Sequence, residues 1–94
     1  MEETLSGRVA IVTGGSRGIG QAIVLKLVSA GASVVIGGIS DTSRTHSLVL
    51  EAGGSEVRLL SIKTDVTKVE EVNRLVKSTI DHFGKVDVLV NNAG

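Results

Sequence analysis

Hydrophobic residues are arranged along this chain in two alternating patterns. Nearly continuous β-prone runs, typical of strands covered on both faces, occupy residues 8–12, 33–36, 57–62 and 86–90. Apolar residues at helical spacing lie between them, in residues 19–30, 41–52 and 67–83. Strand and helix therefore alternate as β-α-β-α-β-α-β with short connections. This order predicts parallel strands joined by right-handed crossovers.

The alternation predicts an α/β fold, a Rossmann-like doubly wound parallel sheet with strand order 3-2-1-4. Residues 1–94 would form one half of such a domain, its N-terminal cofactor-binding half. The third strand, interrupted by Arg58 and Ser61, is typical of a sheet edge. A ligand crevice is expected outside the carboxyl ends of strands one and four.

Helix ends and buried faces can also be predicted. Gly31, Gly53 and Gly84 follow the three helical segments as terminating glycines. Thr67 and Glu70 fit a capping box, in which a hydroxyl and a carboxylate bind free N–H groups at a helix start. Apolar residues recur at helical spacing in the first helix, at Ala22, Ile23, Leu27 and Ala30. In the second helix Leu48 and Val49 are expected to face inward, and one face of the third carries Val69, Val72, Val76, Ile80 and Phe83.

A glycine-rich turn, Thr13 to Gly20, leaves the first strand and opens the first helix. Such a turn lets backbone N–H groups approach a diphosphate and directs the positive end of the helix dipole at that charge. Residues 15–20 also read G-x-x-x-x-G, the start of a P-loop. Gln21 and Ala22 follow where a P-loop has Lys and Ser or Thr, so a kinase or ATPase is not expected.

Composition excludes several classes of partner. The net charge is zero, which gives no electrostatic reason to expect nucleic acid or an anionic membrane. No cysteine is present for disulfides, thiolate metal sites or nucleophilic catalysis. The acidic start, Met1 to Thr4, precedes no long apolar stretch, so neither a secretory signal nor a membrane span is expected. These features predict a soluble, cytoplasmic protein.

Three motifs in order give the chain a family resemblance. They are T-G-x-x-x-G-x-G at residues 13–20, the Asp65-Val66 pair after the third strand, and N-N-A-G at residues 91–94. Together they resemble the N-terminal half of a short-chain dehydrogenase/reductase. The sequence of residues 7–20 also resembles that of the ketoacyl-carrier-protein reductases and of the sugar or aldehyde reductases. The resemblance implies a nicotinamide dinucleotide and hydride transfer to or from a carbonyl or alcohol substrate.

The same resemblance implies a set of cofactor contacts. Asp65 and Val66 would lie against the adenine, and residues 91–94 alongside the adenosine ribose. Asp65 could instead compete with Thr67 to start a helix. Asn91 and Asn92 could also end a strand and tie neighbouring backbone together. The expected cofactor-binding residues are Gly14, Ser16, Arg17, Gly18, Ile19, Gly20, Ser40, Asp65, Val66, Asn91, Ala93 and Gly94.

Charge favours NADP over NAD. A carboxylate at the end of the second strand would accept the ribose hydroxyls of NAD and repel the 2′-phosphate of NADP. Gly38 occupies that position, so the repulsion is absent. Arg17, in the glycine turn, supplies a guanidinium suited to phosphate.

Neighbouring residues modify this preference. Ile39 stands where NADP-preferring relatives often carry a second Arg, although Ser40 could donate a hydrogen bond. Asp41 is expected to cap the second helix rather than bind the ribose, because polar residues that start a helix follow it. Arg44 could reach the phosphate or be a solvated surface charge.

Catalytic residues are not expected in this sequence. The family relays its proton through the Tyr and Lys of Y-x-x-x-K, assisted by a Ser and a further Asn, all beyond N-N-A-G. The chain contains no tyrosine. His46 and His82 are expected at the surface, with no metal site around either. The alternative to a reductase half is a non-catalytic dinucleotide-binding or regulatory module, and a methyltransferase half-domain is less favoured. The apolar fourth strand, left as an edge, predicts self-association.

Overall fold

A computed structural model describes residues 4–54 and 58–92, where four strands and three helices alternate. The strands are β1 Val9–Thr13, β2 Ser33–Gly38, β3 Leu59–Lys63 and β4 Val88–Asn91. The helices are α1 Gly18–Ser29, α2 Ser43–Glu51 and α3 Val69–Phe83. The predicted start of the third strand, Val57, lies outside the described residues. All seven predicted elements are present in the described residues, and their ends differ from the prediction by at most two residues.

The four strands form one parallel sheet in the predicted order, β3-β2-β1-β4. β1 is central and pairs with β2 on one side and β4 on the other, so that Thr13 stands opposite Gly37 and Asn91. β2 pairs with β3 through Gly38 and Lys63 at its end. Because all strands run the same way, the turns that follow them meet at one edge of the sheet.

Helices cover both faces of the sheet, which confirms the doubly wound arrangement. On the α1 and α2 face, the buried apolar residues are Val12, Val24, Val28, Ala32, Val34, Ile36, Val49 and Leu59. On the α3 face, Leu75 packs against Ile11 and Val35. Alternate residues of β1 and β2 therefore supply each core, as the strand period of two requires.

The predicted apolar residues of α1 include Ile23 and Leu27, which pack against the core, but not the two apolar residues that are most buried. Val24 and Val28 are fully buried against the sheet, whereas Ala22 is exposed and Ile23 and Leu27 are half-buried. In α2, Val49 is buried as expected, but its buried partner one turn earlier is Thr45. Polar Thr45 is absent from an apolar count, which is why the prediction missed it.

The predicted face of α3 was also wrong in part. Leu75 and Thr79 are the buried residues of this helix, whereas Val69 is 71% exposed and Ile80 46% exposed. The reason lies in the sheet beneath: a Cβ on Gly37 would lie 2.6 Å from Leu75 Cδ2. The missing side chain of Gly37 makes the space that Leu75 fills, and this fixes the rotation of α3.

The capping box at the start of α3 is not formed. The N-cap is Lys68, and it makes no side-chain capping bond. Thr67 donates its hydroxyl to Asp65 Oδ1 at 2.6 Å, while Glu71, not Glu70, accepts the backbone N–H of Asp65 at 2.8 Å. An ionised carboxylate two residues away is a stronger partner for the hydroxyl than a helix N–H, so the charged bond prevails. At the other end Gly84 terminates the helix with φ +89°, as predicted.

β4 is the second edge of the sheet and is only partly covered. Asp87, just before it, accepts the N–H of Val9 at 2.8 Å and lies 3.2 Å from Lys85 Nζ, which fastens this strand to β1. Leu89 in its centre is 61% exposed. The predicted apolar edge is therefore present in the described part of the chain.

Candidate functional site

Three glycines shape the turn after β1, two through their backbone conformation and one through close packing. Gly14 and Gly18 have φ values of +73° and +59°, which L-residues with side chains seldom adopt. Gly20 lies inside α1 under a steric constraint, because a Cβ there would be 2.0 Å from Gly14 O and 2.6 Å from Asn92 Nδ2. The start of α1 can therefore lie directly against the turn only with glycine at this position. Arg17 and Ile19 project from the same region and are exposed.

Polar side chains from two helices hold this turn from behind. Thr45 of α2 is fully buried and donates its hydroxyl to Gly15 O at 2.8 Å. Gln21 of α1 donates to Ser16 O at 3.2 Å and to Thr45 Oγ1 at 3.1 Å. The sequence did not indicate this role for either residue, and Gln21 was considered only as the residue in place of a P-loop lysine. The one signal available was a polar residue, Thr45, one helical turn before the apolar Val49 on the inner face of α2.

The end of β4 is tied to the end of β1 and to the glycine turn. Asn92 donates its backbone N–H to Thr13 Oγ1 at 3.0 Å and its side-chain amide to Gly14 O at 3.2 Å. Asn91 Oδ1 lies 3.3 Å from Thr13 Oγ1. Asn91 and Asn92 thus join neighbouring strand ends, the structural role considered from the sequence. Ala93 and Gly94, also predicted to contact a cofactor, lie outside the described residues.

A cleft of about 280 Å³ opens at the carboxyl ends of β1, β2 and β3. Five of the predicted site residues share its lining: Gly14, Ser16, Ser40, Asp65 and Val66. The cleft lies to the β2 and β3 side of β1, whereas the crevice was expected between β1 and β4. Asn91 does not line it, and Arg17, Gly18, Ile19 and Gly20 lie beside it at the start of α1.

Asp65 forms the β3 side of this cleft in a fixed orientation. Its Oδ1 accepts both the hydroxyl of Thr67 at 2.6 Å and the backbone N–H of Thr67 at 3.0 Å. These bonds, the hydroxyl first, lower the pKa of Asp65 below its ordinary value. Asp65 therefore organises the turn before α3 and lines the cleft.

The end of β2 has open space at Gly38, the position where a carboxylate would favour NAD. A Cβ on Gly38 would meet only Gly14 N, at 3.8 Å, so the position faces free space. Ile39 is 70% exposed on the cleft rim beside Ser40. Asp41 Oδ1 accepts the N–H of Ser43 at 2.9 Å and its hydroxyl at 2.6 Å, which lowers the pKa of Asp41, the hydroxyl bond having the larger effect.

Asp41 thus binds the helix start as predicted, but it does so from one residue before the N-cap, which is Thr42. A second cleft of about 340 Å³ adjoins the first at this end of β2. Ser40, Asp41 and Thr42 line it together with Lys63 from β3. Lys63 is a cation that sequence reasoning missed, because only the pairing of β2 with β3 brings it there.

Neither histidine lines these two clefts. His82 is exposed, as expected, but His46 is half-buried and its Nε2 lies 2.8 Å from Ser61 Oγ, contrary to the surface location predicted for it. Packing of α2 on β3 accounts for this burial. Within residues 4–54 and 58–92, no three histidine or carboxylate side chains converge as metal ligands would. None of the helices described is both long and apolar enough to cross a bilayer.

Known proteins similar to this chain share one family. Residues 8–94 match the family model described as short chain dehydrogenase. A hydroxynaphthalene reductase-like protein of Metarhizium anisopliae is 45% identical over 96 residues, which cover 99% of this chain and 36% of that protein. A 3-oxoacyl-acyl-carrier-protein reductase of Synechocystis sp. is 39% identical over 90 residues, covering 96% of this chain and 36% of the relative.

Solved structures agree with the sequence relatives. Glucose dehydrogenase of Caenorhabditis elegans in its apo form superposes with a TM-score of 0.90 at 39% identity. The superposition covers 96% of this chain and 39% of that one. The chain therefore spans a little over a third of the length of the proteins it matches.

Proposed function

Because this chain belongs to the short-chain dehydrogenase family, whose members bind a nicotinamide dinucleotide, we propose that it forms the cofactor-binding part of an oxidoreductase. The reaction is hydride transfer between NADP(H) and a carbonyl or alcohol substrate. One observation carries the proposal: the glycine turn and the ends of β2 and β3 converge on one cleft. The cytoplasmic location predicted from composition belongs to the same proposal.

The residues present fit the adenosine half of such a cofactor. The cleft, at about 280 Å³, is at the lower end of the range of ligand pockets, about 300–1,000 Å³, and suits one nucleoside rather than a whole dinucleotide. Ile39 and Val66 provide apolar walls for adenine. The diphosphate would lie on the N–H groups of the turn that starts at Gly14, at the positive end of α1.

The charges around the cleft support NADP. No carboxylate is present at Gly38, and its space is open, while Asp41 is bound to Ser43. Arg17 is exposed beside the turn, and Lys63 with Ser40 lines the adjoining cleft. We propose that these two cations attract the 2′-phosphate. When bound, the dinucleotide supplies or accepts the hydride.

Fluorescence titration with NADPH and NADH tests the proposal, since the chain has no Trp or Tyr to interfere. We expect tighter binding of NADPH, and Arg17→Ala should narrow the difference. Arg8→Ala is the matched control, because Arg8 is an exposed arginine at the amino-terminal edge of the sheet, paired with Asp87. Equal affinities in the unaltered chain would refute the argument from charge. Failure to bind either cofactor would refute the function.

We expect no carbonyl reduction by these 94 residues alone. Hydride transfer needs an acid placed at the developing alkoxide, and the chain contains no tyrosine to serve as in the family. Measurable NADPH oxidation with a carbonyl substrate by the purified 94-residue chain would contradict this expectation.

A further inference from the structure

We propose that Thr45 is a positioning residue for the cofactor's diphosphate: together with Gln21 it holds the carbonyls of Gly15 and Ser16, so that the N–H groups that follow these carbonyls face the opposite way. The inference rests on the proposed function, because it names how that same site is kept ready. Thr45 belongs to α2, which follows β2, whereas the turn that it would hold follows β1.

The hydrogen bonds around Thr45 have one consistent assignment. Thr45 Oγ1 lies 2.8 Å from Gly15 O, 3.3 Å from Ser16 O and 3.1 Å from Gln21 Nε2. Gln21 donates to the oxygen of Thr45, so the single hydroxyl hydrogen of Thr45 is available to the carbonyls. Gln21 Nε2 also lies 3.2 Å from Ser16 O. Gly15 O is thus bound by Thr45 of α2, and Ser16 O is shared between Gln21 of α1 and Thr45.

The direction of each carbonyl also fixes the direction of the N–H group that follows it. In a planar trans peptide, the C=O of one residue and the N–H of the next point in opposite directions. Carbonyls of Gly15 and Ser16 directed at Thr45 therefore leave the N–H groups of Ser16 and Arg17 directed away from α2. Gly14, Gly15 and Ser16 line the cleft, so this is the part of the backbone on which a diphosphate would rest.

Burial makes the hydroxyl hard to replace. Thr45 is fully buried, and a valine of the same shape would leave Gly15 O without its donor. A carbonyl that has lost its partner gains by turning toward water or another donor, and that rotation swings the next N–H away. Serine keeps the hydroxyl and loses only a methyl group. The pair Thr45→Val and Thr45→Ser therefore separates hydrogen bonding from packing.

α3 offers a matched control for stability. Thr79 is also fully buried, and its hydroxyl donates to Leu75 O at 2.8 Å on the opposite face of the sheet. Thr79→Val removes the same kind of bond away from the cleft. It should leave cofactor affinity unchanged and lower the urea midpoint less than Thr45→Val, because Leu75 O still accepts a backbone N–H within the helix.

The experiment compares two ligands in the 94-residue chain by calorimetry. NADPH contains the diphosphate, whereas adenosine 2′-monophosphate contains the adenosine and 2′-phosphate without it. Thr45→Val should weaken NADPH binding about fivefold, the fold-change that one net hydrogen bond produces, and leave the binding of adenosine 2′-monophosphate unchanged. Thr45→Ser should restore NADPH binding. Equal weakening of both ligands would show a purely structural role and overturn the inference, as would no weakening of either.

Amide hydrogen exchange in the ligand-free chain separates this inference from the proposed function. Exchange at residues 15–17 should be faster in Thr45→Val and normal in Thr45→Ser. If the unaltered chain binds no NADPH, the proposed function falls and so does the ligand named here, whereas this exchange still decides whether Thr45 orders the turn. Unchanged exchange together with normal NADPH binding by Thr45→Val would overturn the inference alone.

Discussion

Replacing Gly20 by alanine tests whether the glycine turn depends on close approach of backbone. The new Cβ would lie 2.0 Å from Gly14 O, 2.8 Å from Gly14 C and 2.6 Å from Asn92 Nδ2. Two of these atoms belong to the backbone, so rotation of a side chain cannot relieve the overlap. α1 must therefore move from the turn by about an ångström or more, and the bond from Asn92 to Gly14 O is lost.

The expected loss of stability combines three effects. Overpacking against backbone costs about 3 kcal/mol, at the upper end of measured cases. The lost hydrogen bond from Asn92 to Gly14 O adds about 1 kcal/mol. Alanine is better than glycine inside a helix by about 1 kcal/mol, which opposes the other two. We expect a net decrease of about 3 kcal/mol in the free energy of unfolding.

Gly18→Ala is the matched control in the same turn. Nothing lies within 4 Å of a Cβ at Gly18, but its φ of +59° is left-handed, so alanine there costs about 1–2 kcal/mol of backbone strain without a clash. Urea unfolding followed by far-UV circular dichroism measures both variants. If Gly20→Ala were no more destabilising than Gly18→Ala, the close-approach argument would be refuted.

Three further predictions concern cofactor choice, pH and association. Gly38→Asp should favour NADH by repelling the 2′-phosphate, whereas Gly38→Asn, similar in size, should keep NADPH preferred; equal effects in titration would refute the role of charge. The N–H of Val9 first, and then Lys85 and Arg8, lower the pKa of Asp87, so its contribution to stability is present above the unfolded pKa of about 3.9 and is lost as pH falls through the lower folded value. Urea midpoints measured against pH should show this loss, and Asp87→Asn should flatten it; an unchanged profile would contradict the assignment. Leu89→Lys should reduce self-association through the β4 edge in sedimentation, and a monomeric unaltered chain that unfolds cooperatively would count against this interface.

The order of elements and strands was predictable because it depends on local pattern. Continuous apolar runs and terminating glycines such as Gly84 mark elements wherever they occur, and handedness rules then leave few ways to arrange them. The rotation of α3 was not predictable, since it follows from Leu75 entering the space above Gly37. That contact joins residues far apart in sequence and leaves no periodic signal.

The candidate site was predictable to the extent that its residues belong to motifs. Gly14, Ser16 and Asp65 were found in this way and meet at one cleft. Thr45 and Lys63 were missed because nothing beside them in the sequence marks them. They reach the candidate site only when α2 packs behind the turn and β3 pairs with β2.

The bond between Asn92 and Gly14 spans 78 residues of sequence. During synthesis β1 leaves the ribosome long before β4. The side of β1 that pairs with β4 therefore stays unpaired until β4 has been made. Contacts of such long range are slow to form, because the chain between them must first close a large loop. Completion of the sheet and final shaping of the turn are therefore late and coupled steps of folding. A dinucleotide that binds only the finished turn would stabilise the completely folded chain relative to the incomplete one.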